Sequence, residues 1–229
     1  MENQSILIRL EQEIDRKSLL THPFYQAWQA GELTLDDLRI YAAQYYFFES
    51  NFPRYLSAIH TCCPDREVRQ NILDNLWDEE HGPENHRRLW LDFCSELGLD
   101  ESSVESSPVF ATTQALLDTY AKICNEGRFQ EGLAAMYAYE AQVPKVALEK
   151  IRGLREFYGL NSEQSLKFFE FHSTLDEEHS AREAHDIETS TQPGHEAVVE
   201  AALGSALDAW WAFLDGVEET RHAAVQTVN

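Results

Sequence analysis

Basic residues are scarce in this chain: 18 lysines and arginines stand against 40 aspartates and glutamates, a formal charge of −22 over 229 residues. A balance of that sign excludes nucleic acid, whose phosphates demand Lys and Arg, and argues against an anionic membrane surface. No window approaches ~18 consecutive apolar residues, so no membrane span is expected. The first twenty residues are charged throughout and lack the apolar core of a secretion signal. Cysteine is sparse too. Cys62, Cys63, Cys94 and Cys124 form neither a CxxC pair nor a disulfide framework. Reduced thiols in the cytoplasm are the expected state, and none of the four is an evident nucleophile.

Strand patterns are lacking as well, and helical ones take their place. Apolar positions recur at helical intervals over 4–19. HPFYQAWQAG (22–31) reads as a short helix ended by Gly31. Thr34 with Asp37 opens the next in capping-box style, with Asp where Glu is commoner. That helix runs through LRIYAAQYYFFESNFPRYLSAIH and bends at Pro53. A further helix spans 65–97 and stops at Gly98, and DESSVESSP (100–108) reads as a polar loop. Helices follow near 109–126, 130–151, 162–188 and 195–217, separated by NEGR, FYGLNSEQ and STQPG. The expectation is one all-α domain over 1–229, of about seven or eight helices, with the last ten or so residues a loose tail.

Metal-ligand chemistry is concentrated in a few stretches. Residues 77–90, WDEEHGPENHRRLW, combine adjacent carboxylates, two histidines and a Gly-Pro break. DEEH occurs twice, at 78–81 and 176–179, each copy followed by another histidine, His86 and His185. At ~100° per residue, His172, Asp176 and His179 share one helix face within about 40°, and Glu79 and His86 lie about 20° from alignment. Glu140 sits among Met136, Tyr137, Tyr139 and Val143, where a carboxylate is costly unless paired or metal-bound. Taken singly, Glu80, His81 and His86 read as a wet helix face and Glu140 as a partner for an arginine. Together, Glu79, His86, Glu140, His172, Asp176 and His179 suit two first-row divalent ions. The ferritin-type Glu-x-x-His pair is absent, its nearest forms being Asp78-x-x-His81 and Asp176-x-x-His179. A standard ferritin-like di-iron protein is therefore not the match.

DEEHGPENH, YAYEAQVPKVALEKI and FHSTLDEEHSAREAH resemble the heme-oxygenase-like dimetal oxidases. Within them the sequence is most similar to the CADD family, named from a chlamydial protein associating with death domains. The resemblance extends from HPFYQAW to DAWWAFLDG. It implies a seven-helix heme-oxygenase-like bundle that holds no heme, with Glu79, His86, Glu140, His172, Asp176 and His179 as ligands of two non-heme ions, iron or a manganese–iron pair. The internal echo alone favours Asp78 and His81 in the first copy, and Glu80 competes with Glu79.

The activity implied is oxygen-dependent synthesis of 4-aminobenzoate for folate, with an external reductant. The protein's own tyrosine would supply the ring and a lysine the amino group, for at most one turnover per chain. The positions carried over are Tyr25, Tyr41 and Lys150. Spacing by itself makes Lys150 a surface residue, about 80° from Glu140 on an ideal helix, with Lys145 the competing donor. Tyr41, Tyr45 and Tyr55 read equally as a buried stripe. Two alternatives stand beside this: a dimetal oxidase of an external small molecule, and a protein-interaction module that binds signalling domains. The aromatic-rich helices and WWAFL (210–214) suggest a homodimer, and a reductase or other reductant is a further expected partner.

Overall fold

Local chemistry explains most helix boundaries in the computed structural model, which describes residues 4–227. Helix α1 (Ile6–Arg16) is capped by Ser5 Oγ, which accepts from the Leu7 amide at 3.2 Å. After a 3-10 turn at Leu19–Thr21, α2 (Pro23–Ala30) starts with His22 Nδ1 accepting from the Phe24 amide, and stops at Gly31, whose φ of 70° suits glycine. The Thr34–Asp37 capping box opens α3 (Leu35–Glu49). Then come α4 (Phe52–Cys62), α5 (Arg66–Glu80), α6 (His86–Glu96), α7 (Glu101–Glu105) and α8 (Ala111–Glu126). The chain ends with α9 (Phe129–Glu140), α10 (Val143–Glu156), α11 (Glu163–Ser190) and α12 (Glu196–Thr227). Asp65, Asn85, Asp100 and Ser162 cap α5, α6, α7 and α11.

The all-α expectation holds, with no strand among the described residues. The helix count of seven or eight does not, because twelve α-helical segments are described. Three long helices read from the sequence are each cut in two, at residues 50–51, 81–85 and 141–142. Pro53, Pro83 and Pro144 follow at or within these cuts. A proline ring lacks the N–H for the helical bond and collides with the carbonyl four residues back. The loop expected over 100–108 contains the short α7, capped by Asp100. The expected tail is also largely helical, since α12 continues to Thr227, with Glu218 pairing Arg221 and His222 one turn on. Residues 228–229 of that tail lie outside the described part.

In the bundle, α12 lies against α8 and α9, and α11 against α6, α9 and α10. The segment Glu196–Ala223 is long and apolar enough to cross a membrane by length and composition alone. Its Val199, Leu203, Leu207, Trp210, Phe213, Leu214 and Val217 are instead buried in the core. That core is aromatic. Tyr139 stacks on Trp210 with centroids 4.3 Å apart, and Tyr45 meets Trp90 at 4.2 Å. The indoles keep their polar atoms paired: Trp90 Nε1 donates to the Ala42 carbonyl at 2.9 Å and Trp210 Nε1 to Tyr120 Oη at 3.0 Å.

Helix α10 approaches α2 closely where Gly153 faces Trp28. A Cβ on Gly153 would stand 2.5 Å from Trp28 Nε1 and 2.7 Å from Cδ1. Lys150 and Tyr25 lie one turn before these two residues on their respective helices, so the same approach brings their side chains together. Gly153→Ala is expected to destabilise the protein by about 1–3 kcal/mol in urea melts. In Gly204→Ala, where the added Cβ meets nothing within 4 Å, stability should stay level or rise by up to about 1 kcal/mol. An unchanged midpoint for Gly153→Ala would mean that the α2–α10 contact is loose.

Candidate metal centre

Two of the cut helices end on a buried glutamate, Glu49 in α3 and Glu140 in α9, and a third, α5, has Glu79 as its penultimate residue. Each stands four residues before one of the prolines: Glu49 before Pro53, Glu79 before Pro83, Glu140 before Pro144. The proline releases the backbone just past the carboxylate, so all three helices stop where the acid points inward. Helix α6 begins with His86, and α11 contributes His172, Asp176, His179 and Glu183. None of these eight side-chain-bearing residues is more than 6 % exposed.

They form two groups. Glu49, His86 and His172 each offer one ligand atom, all within 4.8 Å of one another, and Glu140, Asp176 and His179 do the same. Glu79 stands beside the first group, its Oε1 2.8 Å from His86 Nδ1. Hydrogen bonds orient the rings. His172 Nδ1 is 2.7 Å from the Phe168 carbonyl, to which it donates, and this leaves Nε2 with a free lone pair. His179 Nε2 meets Asp78 Oδ2 at 3.2 Å, and its buried Nδ1 has no hydrogen-bond partner, with Asp176 Oδ1 3.9 Å away. Asn75 Nδ2 donates to Glu140 Oε1 at 3.0 Å, while Glu140 Oε2, Glu49 Oε1 and both oxygens of Glu183 are buried without partners. An unmet buried acceptor costs ~1–3 kcal/mol. Lone pairs of carboxylate and imidazole that converge without donors fit divalent first-row cations.

Five of the six residues singled out as ligands thus fall into the two groups, and Glu79 adjoins the first. Glu49, which completes that group, and Glu183 were not foreseen. The thrice-repeated Glu-x-x-x-Pro is the signal in the sequence that marks Glu49. Of the competing residues, Asp78 braces His179, Glu80 is exposed, and His81 stacks at 3.7 Å on the exposed Trp77.

The electrostatics agree. Burial, reinforced by the charge of Glu79, pushes the Glu49 carboxyl up to about 8. Burial outweighs the Asn75 hydrogen bond at Glu140 and, with the Glu79 charge, takes it to about 8 as well. Asp176 and Glu183 are raised well above the carboxylate range, by burial first and then by the acids around them. Burial works against a charge on His86, yet Glu79 and Glu49 hold it at about 9. His172 and His179 are lowered by burial and stay neutral.

Next to the first group lies a buried amine among phenols. Lys150 Nζ donates to Tyr41 Oη at 2.7 Å, and Tyr41 Oη is 3.0 Å from Tyr25 Oη. The amine also sits 5.5, 5.1 and 5.2 Å from the ring centroids of Tyr25, Tyr41 and Tyr45. Tyr45 and Tyr139 share a hydroxyl–hydroxyl contact of 2.6 Å. Burial, only partly opposed by the charge of Glu49, lowers Lys150 to about 7. The surface position that helical phase assigned to Lys150 is therefore wrong: the break at 141–142 resets the phase between α9 and α10. Lys145 is the exposed one. Of the thiols, Cys94 and Cys124 are pushed up to about 12, burial being the leading cause.

Metal-free protein should lose stability as pH rises from about 6.5 to 8. Glu49 and Glu140, held near 8, keep protons in the folded state that the unfolded chain has already released. Asp176, Glu183 and His86 act in the same direction; Lys150 opposes them above about 7, and the lowered His22, His172 and His179 oppose them only at the acid end of this range. Thermal melts of stripped protein should show the fall, and added Mn(II) or Fe(II) should raise the midpoint more at pH 8 than at pH 6.5. A flat or rising profile without metal would contradict this account of the buried acids.

Residues 39–211 match a family described as iron-containing redox enzymes. A 4-aminobenzoate synthase of Nitrosomonas europaea is 43 % identical over 216 residues, covering 90 % of this chain and 88 % of its own. One from Chlamydia muridarum is 38 % identical, covering 95 % and 92 %. Among solved structures, a domain with a heme oxygenase-like fold from Shewanella denitrificans superposes with a TM-score of 0.81 at 20 % identity, over 93 % of this chain and 92 % of that one. The chain belongs to the iron-containing redox enzymes of heme-oxygenase-like fold, alongside proteins named 4-aminobenzoate synthase.

Proposed function

We propose that this chain is an oxygen-dependent dimetal synthase of 4-aminobenzoate that takes the ring from its own Tyr25 and the nitrogen from its own Lys150. The observation that carries the reading is the buried hydrogen-bonded set Lys150–Tyr41–Tyr25, set about two helical turns along α3 from Glu49. An amine and two phenols so enclosed serve packing poorly, since each polar atom has to be desolvated.

Turning a tyrosine side chain into 4-aminobenzoate breaks Cα–Cβ, oxidises Cβ to a carboxylate and exchanges the phenol oxygen for nitrogen. Two ions held by Glu49, Glu79, His86 and His172 on one side and Glu140, Asp176 and His179 on the other, iron or a manganese–iron pair, would supply the redox chemistry with dioxygen and an external reductant.

The chain's own residues manage the protons. Burial raises Tyr25 and Tyr41, so both phenols stay protonated and lose an electron only together with a proton. Lys150, lowered to about 7, is substantially neutral near neutral pH. In that form its Nζ can accept the Tyr41 proton across 2.7 Å, while Tyr41 takes that of Tyr25 across 3.0 Å. Attack on a ring carbon requires that lone pair unprotonated, so it belongs to a step in which Nζ does not hold the Tyr41 proton. Phe24, Trp28 and Phe169 close the site to water.

Protein loaded with iron, with and without manganese, then given reductant and oxygen but no organic substrate, should release at most one equivalent of 4-aminobenzoate per chain. Mass spectrometry should find the side chain lost from the peptide that contains Tyr25. Tyr25→Phe and Lys150→Met should release no product, while Lys145→Ala should behave as the parent does. Many turnovers on an added small molecule, with the Tyr25 peptide intact, would replace this reading with that of an oxidase of an external substrate.

A further inference from the structure

We propose that divalent cations reach the two buried groups through the cavity between the α3–α4 and α5–α6 breaks, with Glu80 as the outer carboxylate that captures the hydrated ion. The inference rests on the metal-binding reading given above. The cavity measures about 270 Å³, enough for an ion that keeps part of its water. Buried Glu49 and Glu79 form its floor, Ser50, Pro53 and Asn85 its walls, and the exposed Glu80 and half-buried Arg87 its rim.

What the cavity offers a visitor follows from which of its polar groups are already engaged. Asn85 donates to the Gly82 carbonyl at 2.8 Å and accepts from the Arg88 amide at 3.0 Å. Ser50 Oγ donates to the Phe47 carbonyl at 3.3 Å. Arg87 is turned outward, donating to Tyr46 Oη at 3.1 Å, to Glu105 at 2.6 Å and to Glu101 at 3.1 Å, so two exposed carboxylates balance its charge. Glu79 keeps Oε1 on His86 Nδ1 at 2.8 Å, and its second oxygen remains with the other two carboxylates. Glu49 is 4 % exposed and its Oε1 has no partner, and the Glu80 side chain forms no ion pair or hydrogen bond among the described residues. The lining is therefore a file of carboxylates, from an exposed one to two buried ones, and that chemistry selects small hard cations.

Other openings do not serve. The void beside His179, Asn75 and Glu183 measures about 10 Å³, room for a single water, and does not amount to a passage. The larger groove of about 540 Å³ between α8 and α12 touches none of the site residues. The geometry of the chosen cavity also explains why the breaks occur where they do. Both helix cuts that free Glu49 and Glu79 for the site also leave the gap through which an ion would pass.

Stopped-flow mixing of metal-free, full-length protein with Co(II), followed by the visible ligand-field bands, tests the route separately from the site. Glu80→Gln should slow uptake about three- to tenfold at low ionic strength, and the difference should shrink in 0.5 M salt. The final count of two ions per chain should not change. Ser50→Phe, which narrows the wall, should slow uptake at every ionic strength, whereas Glu126→Gln on the distant α8 should match the parent. If two ions bind and both Glu80→Gln and Ser50→Phe load at the parental rate, the route is wrong. If the parent chain binds no Co(II), the metal-binding reading fails and takes the route with it.

Discussion

Five carboxylates, Glu49, Glu79, Glu140, Asp176 and Glu183, share a low-dielectric interior in which the protein's own nearby positive groups are His86 and Lys150. Burying one unpaired carboxylate is expensive, and the field of its neighbours makes the next one dearer still. Among the described residues no arginine forms an ion pair with any of them. The fold supplies imidazoles instead, two of them kept neutral by burial, with orientations set by Phe168 and Asp78. Such an arrangement is stable in two ways, with protons on the acids or with metal cations between them, and the other features of the site follow from that choice.

One consequence is architectural. Helices α3, α5 and α9 stop where their glutamates point inward, and in each a proline four residues on enforces the stop. A continuous helix would carry its next turn past the acid and leave less room at its end. The aromatic packing of Tyr45, Trp90, Tyr139, Phe168 and Trp210 then holds these ends in place. Helix α3 has a double role, because Tyr41 and Tyr45 lie on it upstream of Glu49. Any shift of its end would move the phenols and the first candidate metal group together. Lys150 reaches the same spot from α10, which comes close to α2 only because residue 153 has no side chain to keep Trp28 away.

Much of this could be read along the chain. The caps at Thr34 and Ser162, the stop at Gly31 and the all-helical pattern are local, set by side chains that bond to backbone within a few residues. The i, i+4, i+7 face of His172, Asp176 and His179 was legible for the same reason, since α11 is unbroken over 28 residues and its phase never slips. Glu49 was missed because LRIYAAQYYFFESNFPRYLSAIH reads as one helix bent at Pro53, inside which a lone glutamate gives no sign of a ligand. Its position becomes informative only beside Glu79 and Glu140 and their prolines.

The sequence by itself determined the helical class, most of the starts and stops, the excess of acid and the candidate ligands that share one helix. Only the tertiary structure decided that Glu79 is buried while Glu80 is exposed, that Glu49 joins His86 and His172, and that Lys150 is an interior amine next to Tyr41. Periodicity holds within one continuous helix and is lost across a break of even two residues. The burial that shifts a carboxyl or an amine is imposed by helices far away in the sequence, and no local pattern records it.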